Sequence, residues 1–300
     1  MSHSAAARFA RIAFMLLVLL ALSACRMHKE DPLETLPLEE MYQIGKSALE
    51  DGNNSRATKY YQRLIARFPY GPYTEQAMLE LAYAHYRANR TEEATSTINR
   101  FIRTYPAHKN IAYAYYLKAL INFGMGDSII TRLAGLDMTQ REQDTVRQSF
   151  NDFSELIRRY PNSRYAPDAR QRMVYLRNLM ARHEINVALF YLDRRAYVAA
   201  ANRGKFVLEN YAQSQHDGDA LAVMAEAYKQ LGQGKLEEDS LRVLKLNYPD
   251  HPYLSGGWPG SRSLWRKLLP GGENKRWTDS KTASVPPPAM VEFPVATISQ

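Results

Sequence analysis

The feature that most constrains the fold is a phrase that recurs five times, an amphipathic stretch that ends in an aromatic residue. The five phrases are YQRLIARFP, INRFIRTYP, FSELIRRYP, GKFVLENYA and LRVLKLNYP, which end at residues 69, 106, 161, 212 and 249. Proline follows the aromatic residue in four of them. Proline cannot continue an α-helix, and it disfavours helical backbone in the residue before it. Each phrase therefore predicts the end of a helix.

The spacing of these helix ends predicts helix pairs. The aromatic residues Phe68, Tyr105, Tyr160, Tyr211 and Tyr248 are separated by 37, 55, 51 and 37 residues. Two intervals slightly exceed the 34-residue period of a tetratricopeptide repeat, and the other two fit that period with an insertion. Small residues occur where paired helices must approach each other, and these are Gly45, Ala57, Ala82, Ala94, Ala188 and Ala200. The pattern resembles degenerate tetratricopeptide repeats.

The predicted fold is all-α, an α-solenoid of about five helix pairs with one curved face for binding. Gly52, Asn89 and Gly232 are the predicted breaks between partner helices. Helices are predicted over 38–51, 54–67, 74–88, 91–104, 110–125, 140–159, 165–192, 195–210, 216–232 and 235–247. The predicted domains are a signal peptide at 1–24, a lipidated N-terminus and linker at 25–37, the repeats at 38–250 and a tail at 251–300.

The N-terminus has the charge layout of a secretory signal peptide. Arg8 and Arg11 precede the apolar run 12–24, which is too short to span a bilayer. The run ends in LSAC, which looks like a bacterial lipobox around Cys25, the only cysteine. The resemblance implies that residues 1–24 are removed and that Cys25 carries S-diacylglycerol and N-palmitoyl groups. The residue after Cys25 is Arg26 and not an aspartate. By the family's rule, the absence of aspartate at this position looks like sorting to the outer membrane. The alternative is an ordinary signal peptide with an incidental cysteine.

The sequence offers no converging catalytic groups, so a non-catalytic protein without metal or cofactor is predicted. The seven histidines are scattered, and no phosphate-binding or nucleophile motif is present. His183 and Glu184 are interpreted as polar decoration of a long helix. The full chain has a net charge of +8, and removal of residues 1–24 with Arg8 and Arg11 leaves 37 basic against 31 acidic residues, or +6. This excess is interpreted as spread along the chain, which predicts no nucleic-acid partner.

Tyrosine and arginine are concentrated in the first three repeats. Tyrosine has a rigid ring with a polar tip, and arginine has a fork that suits a terminal carboxylate, so such a face suits an aromatic-rich peptide. The alternative is that most of these rings fill the core. The residues concerned are Tyr60, Tyr61, Arg63, Arg67, Phe68, Tyr70, Tyr73, Tyr83, Tyr86, Arg87, Tyr113, Tyr115 and Tyr116.

The tail from residue 251 has a different composition. It holds seven of the fifteen prolines and all three tryptophans, and it is predicted to be disordered after about residue 270. Within it, SRSLWRKLLP at 261–270 places Trp265 and leucines beside basic residues. This segment is interpreted either as an interfacial membrane helix or as a terminal segment that docks on the last repeat or is disordered.

Three stretches together resemble the BamD family, also called ComL, lipoproteins of the outer-membrane β-barrel assembly machinery. They are RFPYGPYTEQAMLELAYAHY at 67–86, INRFIRTYPAHKNIAYAYYLKAL at 98–120, and the stretch from LIRRYP at 156 to AAANR at 203. The resemblance covers about residues 25–249. It does not extend to the tail.

The resemblance implies an outer-membrane scaffold, lipid-anchored on the periplasmic face. Its implied partners are a POTRA domain of BamA, other Bam accessory lipoproteins and the C-terminal signals of unfolded outer membrane proteins. Arg203 and Asn202 are the candidates for BamA docking, and Arg67, Tyr70, Tyr73 and Tyr86 are the candidates for a substrate-peptide groove. Two alternatives stay open: a wall-degrading enzyme, and a repeat lipoprotein of another envelope system such as a pilus pilotin.

Overall fold

A computed structural model describes residues 35–130 and 140–256, with side chains described outside 125–142. Two compact units divide the chain, one over residues 1–77 and one over 78–300. The boundary falls within the helix Pro72–Arg87.

The described residues form ten α-helices and no β-strand. The helices are α1 Leu38–Glu50, α2 Asn54–Arg67, α3 Pro72–Arg87, α4 Thr91–Thr104, α5 Ile111–Ile130, α6 Gln140–Arg159, α7 Ala166–Asp193, α8 Tyr197–Asn210, α9 Asp217–Gln230 and α10 Gly234–Asn247. The predicted bounds agree with these to within two residues, except that α5 continues to residue 130 and not to 125. The prediction of an all-α fold of about five tetratricopeptide-like helix pairs is confirmed.

The repeated aromatic residues do end their helices. Phe68, Tyr105, Tyr211 and Tyr248 have left the helical conformation, with φ between −126° and −137°. Each still donates its backbone N–H to the carbonyl four residues earlier at 2.8–2.9 Å. Tyr211 has the same geometry although alanine follows it. The following proline is therefore not required for this ending.

The three predicted breaks adopt left-handed backbone. The φ values are +75° at Gly52, +56° at Asn89 and +69° at Gly232. Glycine and asparagine tolerate this region better than other residues, which is why a helix turns back there.

Small residues allow the helices to pack closely. In the first unit α1 contacts α2, and Gly45 faces the ring of Tyr61. In the second unit each helix from α4 to α10 contacts the next one, and α7 also contacts α9. Ala82, Ala94, Ala188 and Ala200 are fully buried, as the sequence predicts.

A buried polar cluster connects α5 to α7. Tyr116 donates its hydroxyl to Asp168 at 2.6 Å, and Arg172 pairs with the same carboxylate at 2.7 Å. Arg172 is completely buried and lies 4.9 Å from the ring centroid of Phe123. Burial and the Asp168 hydrogen bond raise the pKa of Tyr116. A buried arginine of this kind requires a paired carboxylate, which α7 supplies one turn earlier.

The described structure continues six residues beyond the predicted end of the repeats at 250. Residues Pro252–Ser255 form a short 3-10 helix, and the side chain of His251 caps it by accepting a hydrogen bond from the backbone N–H of Tyr253. His251 Nε2 lies 3.1 Å from Asp219, and the Tyr253 hydroxyl donates to Glu226 at 3.0 Å. These contacts fix the start of the tail on α9. None of the described helices has both the length and the apolar character needed to cross a membrane.

At Gly204, α8 lies very close to α9. A methyl group at this position would lie 2.8 Å from the carbonyl oxygen of Ala220 and 2.8 Å from Cγ of Met224. Because the carbonyl oxygen of Ala220 is a backbone atom, this clash can be relieved only if α8 or α9 moves. By contrast, a methyl group at Gly234, the first residue of α10, would meet nothing within 4 Å.

We predict that Gly204→Ala lowers the free energy of unfolding by about 1–3 kcal/mol, because overpacking forces backbone shifts. Gly234→Ala is the control and should leave stability unchanged or slightly raised. Urea unfolding followed by circular dichroism measures both. Equal stability of the two variants would contradict the close approach of α8 and α9.

Candidate functional site

The tyrosines of the first three repeats divide between core and surface, so the core interpretation holds for some of them, and the others are accessible to a ligand. Tyr61, Tyr113, Tyr115 and Tyr116 are buried and belong to the core. The rings at the surface, wholly or in part, are Tyr60, Tyr70, Tyr73, Tyr83 and Tyr86. The sequence did not distinguish them, because both sets have helical spacing.

Three of the four peptide-groove candidates lie at the junction of α2 and α3 in the first unit. Tyr70 is in the connecting turn and is 87 % exposed. Arg67 donates from Nη1 to the carbonyl of Leu36 at 2.9 Å and stacks on Phe68. Tyr73 donates its hydroxyl to Glu39 at 2.8 Å, and this hydrogen bond raises the pKa of Tyr73. Arg67 and Tyr73 therefore also hold the N-terminal segment.

The fourth candidate, Tyr86, lies in the second unit. Its ring centroid is 6.4 Å from that of Tyr83. It also packs beside α5, since a methyl group at Gly124 would lie 3.5 Å from the ring. The ring is partly exposed and so offers one face to a ligand.

The two docking candidates are consecutive residues of α8, and both are neighbours of Phe206 on the helix, which is four residues after Asn202 and three after Arg203. Asn202 is exposed, and Val198 and Phe206 lie one turn before and one turn after it on the same face. Val198 is 61 % exposed and Phe206 is 38 % exposed. Arg203 points instead toward α7, where its Nη1 lies 2.8 Å from Glu184. We call Val198, Asn202, Arg203 and Phe206 the α8 surface.

A cleft of about 390 Å³ adjoins the α8 surface. It is lined by side chains of α6, α7 and α8 together with the tyrosine that ends α8; these are Gln143, Arg147, Met180, His183, Glu184, Val187, Arg203, Phe206 and Tyr211. Phe206 is common to the cleft and to the exposed face. Its ring meets that of Tyr211 edge-on, with the centroids 5.7 Å apart. The cleft therefore combines aromatic and aliphatic walls with two arginines.

The charges in the cleft are partly matched. Partial burial alone opposes the charged form of Arg203, but the hydrogen bond and the charge of Glu184 raise its pKa above the ordinary value. Burial and the Glu184 charge also raise the pKa of Tyr211. Arg203 is thus a permanent cation whose side chain is half exposed. A carboxylate that enters the cleft has to compete with Glu184 for it.

The interpretation of Glu184 as polar decoration is wrong. Its side chain is buried and holds Arg203, while His183 Nε2 lies 2.7 Å from the amide nitrogen of Gln143. The sequence gives no signal for this pair, because Glu184 and Arg203 are nineteen residues apart on different helices.

The interpretation that the positive charge is spread along the chain is also wrong. Residues 158–205 contain eleven arginines and lysines but only three acids, so the rest of the chain carries no net charge. Many of these cations are engaged: Arg159 pairs with Glu155 and Arg172 with Asp168, while Arg194 stacks on Phe190. The region that contains the α8 surface is nevertheless strongly basic, which favours an acidic partner.

Two further predictions concern a metal site and the lipid-attachment cysteine. Within the described part of the chain, no cluster of histidine, cysteine or acidic side chains suits a metal ion. Cys25 lies outside the described residues.

Comparison with known proteins identifies the family. The family YfiO, described as outer membrane lipoprotein, matches residues 35–244. The chain belongs to the YfiO outer membrane lipoprotein family. The matched residues contain α1–α9 and most of α10, together with every candidate binding residue. Cys25 and the tail lie outside the match.

Curated relatives agree with the family assignment. Outer membrane protein assembly factor BamD of Xylella fastidiosa strain 9a5c is 43 % identical over 276 residues, which are 91 % of this chain and 94 % of the relative. The protein of the same name from Neisseria gonorrhoeae is 37 % identical and covers 82 % of this chain and 95 % of its own. The crystal structure of a thermophilic tetratricopeptide-repeat protein from Thermus thermophilus covers 73 % of this chain and 98 % of its own at 13 % identity, with a TM-score of only 0.34.

Proposed function

We propose that this YfiO-family protein is a non-catalytic outer-membrane lipoprotein scaffold that binds BamA and outer membrane protein substrates and promotes their assembly. The single observation that carries the proposal is family membership over residues 35–244, with relatives named as outer membrane protein assembly factors. This membership favours the assembly machinery over a pilus pilotin. The described surface features are apolar and basic side chains suited to binding peptides and proteins.

The α8 surface is our candidate for docking a POTRA domain of BamA. Interfaces commonly have exposed apolar side chains beside an arginine, and Val198, Phe206 and Arg203 provide this combination. Asn202 adds an amide that both donates and accepts hydrogen bonds. Because residues 158–205 are rich in arginine, the matching surface of BamA should be acidic.

The junction of α2 and α3 is our candidate for the C-terminal signal of a substrate. Such a signal ends in an aromatic ring and a free carboxylate. Tyr70 offers an almost fully exposed ring in the turn between α2 and α3. Arg67, the last residue of α2, is three residues before it, and Tyr73, in the first turn of α3, is three residues after it. Tyr86 is a separate candidate in the second unit.

Cys25 is our candidate for lipid attachment, through S-diacylglycerol and N-palmitoyl groups. Multiple acyl chains give stable anchoring, since each buried CH₂ contributes about 0.8 kcal/mol. Nine residues lie between Cys25 and the first described residue, Thr35, so the ten steps of chain between them can span at most about 35 Å from the membrane. Other Bam accessory lipoproteins are expected as further partners on the same periplasmic face.

We predict that Arg203→Leu weakens capture by the immobilised POTRA domains of BamA about tenfold, because truncating a central interface arginine removes more than 1 kcal/mol. Arg159→Leu is the matched control, since Arg159 is also half exposed and forms an ion pair of 2.8 Å with Glu155. Glu184→Gln keeps the shape of the cleft and releases Arg203, so its capture should not fall.

Surface plasmon resonance measures these affinities, and circular dichroism verifies the helicity of each variant. Two results would contradict the docking assignment. One is wild-type affinity in Arg203→Leu, and the other is an equal loss in Arg159→Leu.

We predict that Tyr70→Ala reduces photo-crosslinking to C-terminal peptides of outer membrane proteins at least severalfold. Tyr70 gives the most direct test, because its ring is exposed and its removal should have little effect on the stability of the fold. The combined replacement of Arg67 and Tyr73 should also reduce crosslinking, but it removes the contacts to Leu36 and Glu39 as well. Phe190→Ala, an exposed aromatic residue on α7, is the control. Undiminished crosslinking in Tyr70→Ala would place the groove elsewhere.

We predict that Cys25→Ala abolishes palmitate incorporation, because the thiol is the attachment atom. Metabolic labelling followed by immunoprecipitation measures this. Ser23→Thr, which keeps the cysteine and a hydroxyl side chain before it, should retain the label. Persistent labelling of Cys25→Ala would overturn lipid attachment at this residue.

A further inference from the structure

The last described helix of the repeats, α10, carries an aliphatic stripe at its surface. Leu236, Val243 and Leu246 are 44 %, 38 % and 80 % exposed. Their spacing of seven and three residues places them in one stripe along the helix, which also contains Asp239, paired with Arg242 at 2.9 Å. The buried side of α10, with Ser240 and Leu244, adjoins this stripe. Leu236 and Val243 are therefore partly covered by described residues, whereas Leu246 is largely exposed.

The described end of the chain leads back along this helix pair. His251 contacts Asp219 in the first turn of α9, and Tyr253 contacts Glu226 two turns further on. Tyr253 and Leu254 pack against a cluster that includes Leu244 of α10. The charge of Glu237 helps to raise the pKa of Tyr253, after burial and Glu226, so this ring lies near the first turn of α10. The chain therefore leaves the described structure at Gly256 close to the end of α10 that carries Leu236.

The chain beyond Gly256 contains a segment that matches the exposed stripe. In 261–270, Leu264 with Leu268 and Trp265 with Leu269 have the four-residue spacing of one apolar helix side. Arg262, Arg266 and Lys267 occupy the remaining circumference. The first turns of α10 carry Glu237, Glu238 and Asp239 against one basic residue, Lys235, and Asp239 already pairs with Arg242 at 2.9 Å. The remaining excess of negative charge there is complementary to the basic segment.

The distances allow this pairing. Eight residues connect Gly256 to Leu264, which is enough for about 28 Å of extended chain. The stripe from Leu236 to Leu246 extends over about 15 Å of helix. The segment can therefore reach any part of the stripe without disturbing the contacts of His251 and Tyr253.

We propose that residues 261–270 dock as a short amphipathic helix on the stripe of Leu236, Val243 and Leu246 and cap the repeats. Leu264, Trp265 and Leu268 cover the aliphatic side chains, and the basic residues lie beside the acidic first turns of α10. The cap shields an apolar surface that the last repeat would otherwise present to water. This role is independent of BamA and substrate binding.

Tryptophan fluorescence tests the cap directly, because every tryptophan of the chain lies beyond residue 256, at 258, 265 and 277. The test protein is the mature chain 25–300 with Cys25→Ser, Trp258→Phe and Trp277→Phe, which leaves Trp265 as the single reporter. We expect blue-shifted emission and severalfold slower acrylamide quenching than in the same chain unfolded in urea. Leu236→Ser with Leu246→Ser should shift the emission to that of the unfolded chain.

Val174→Ser is the matched control, since Val174 is an exposed aliphatic residue on α7, and it should leave the emission unchanged. Circular dichroism verifies that the repeats remain folded in all variants. Emission equal to that of the unfolded chain before any α10 substitution would overturn the proposal. So would a blue shift that needs phosphatidylglycerol vesicles, which indicates a membrane segment, or one that depends on protein concentration, which indicates a second copy.

Discussion

Close approach between helices is the constraint on which the rest of the second unit depends. At Gly204 the backbone of α8 comes so near the carbonyl of Ala220 that no side chain fits between them. Fully buried alanines at 188, 200 and 222 extend the same packing. Because small residues let α7, α8 and α9 lie close together, Arg203 reaches Glu184 and the cleft closes around both side chains.

The helices could be predicted from the sequence because their ends carry local signals. Helices end at the aromatic residues 68, 105, 160, 211 and 248, and the chain turns back at the left-handed residues 52, 89 and 232. In each case the signal lies in the backbone conformation of the residue itself. The one clear error is the end of α5, which continues to residue 130. Glycines at 124 and 126 favour an earlier end by propensity, but each lowers helix stability by only about 1 kcal/mol, which is too little by itself to fix a helix end.

The candidate site could be predicted only in part. Arg203 and Asn202 were found through a family resemblance, whereas Glu184, Phe206 and Tyr211 were not, because the cleft brings together residues from three helices. The separation of core from surface tyrosines depends on helix orientation. Tyr115 and Tyr116 are adjacent in sequence and both buried, while Tyr70 and Tyr73 differ in exposure although both belong to one turn region. A contact between side chains of two different helices leaves no local pattern in the sequence.

The first and the last described helices along the chain differ in the side chains that they expose to water. The exposed side chains of α1 are polar, chiefly Glu39, Glu40, Gln43 and Glu50, as solubility requires of a terminal repeat. The outer side of α10 instead carries two leucines and a valine. Fully burying an exposed leucine contributes about 1.5–3 kcal/mol, so covering Leu246, which is 80 % exposed, would stabilise the last repeat and remove a site for unspecific association. Leu236 and Val243 are already more than half buried and would contribute less. The family match ends at residue 244, inside this helix, so the segment proposed to cover the stripe lies outside the matched residues. The contacts of His251 and Tyr253 hold the chain on the neighbouring helix α9, from which that segment continues.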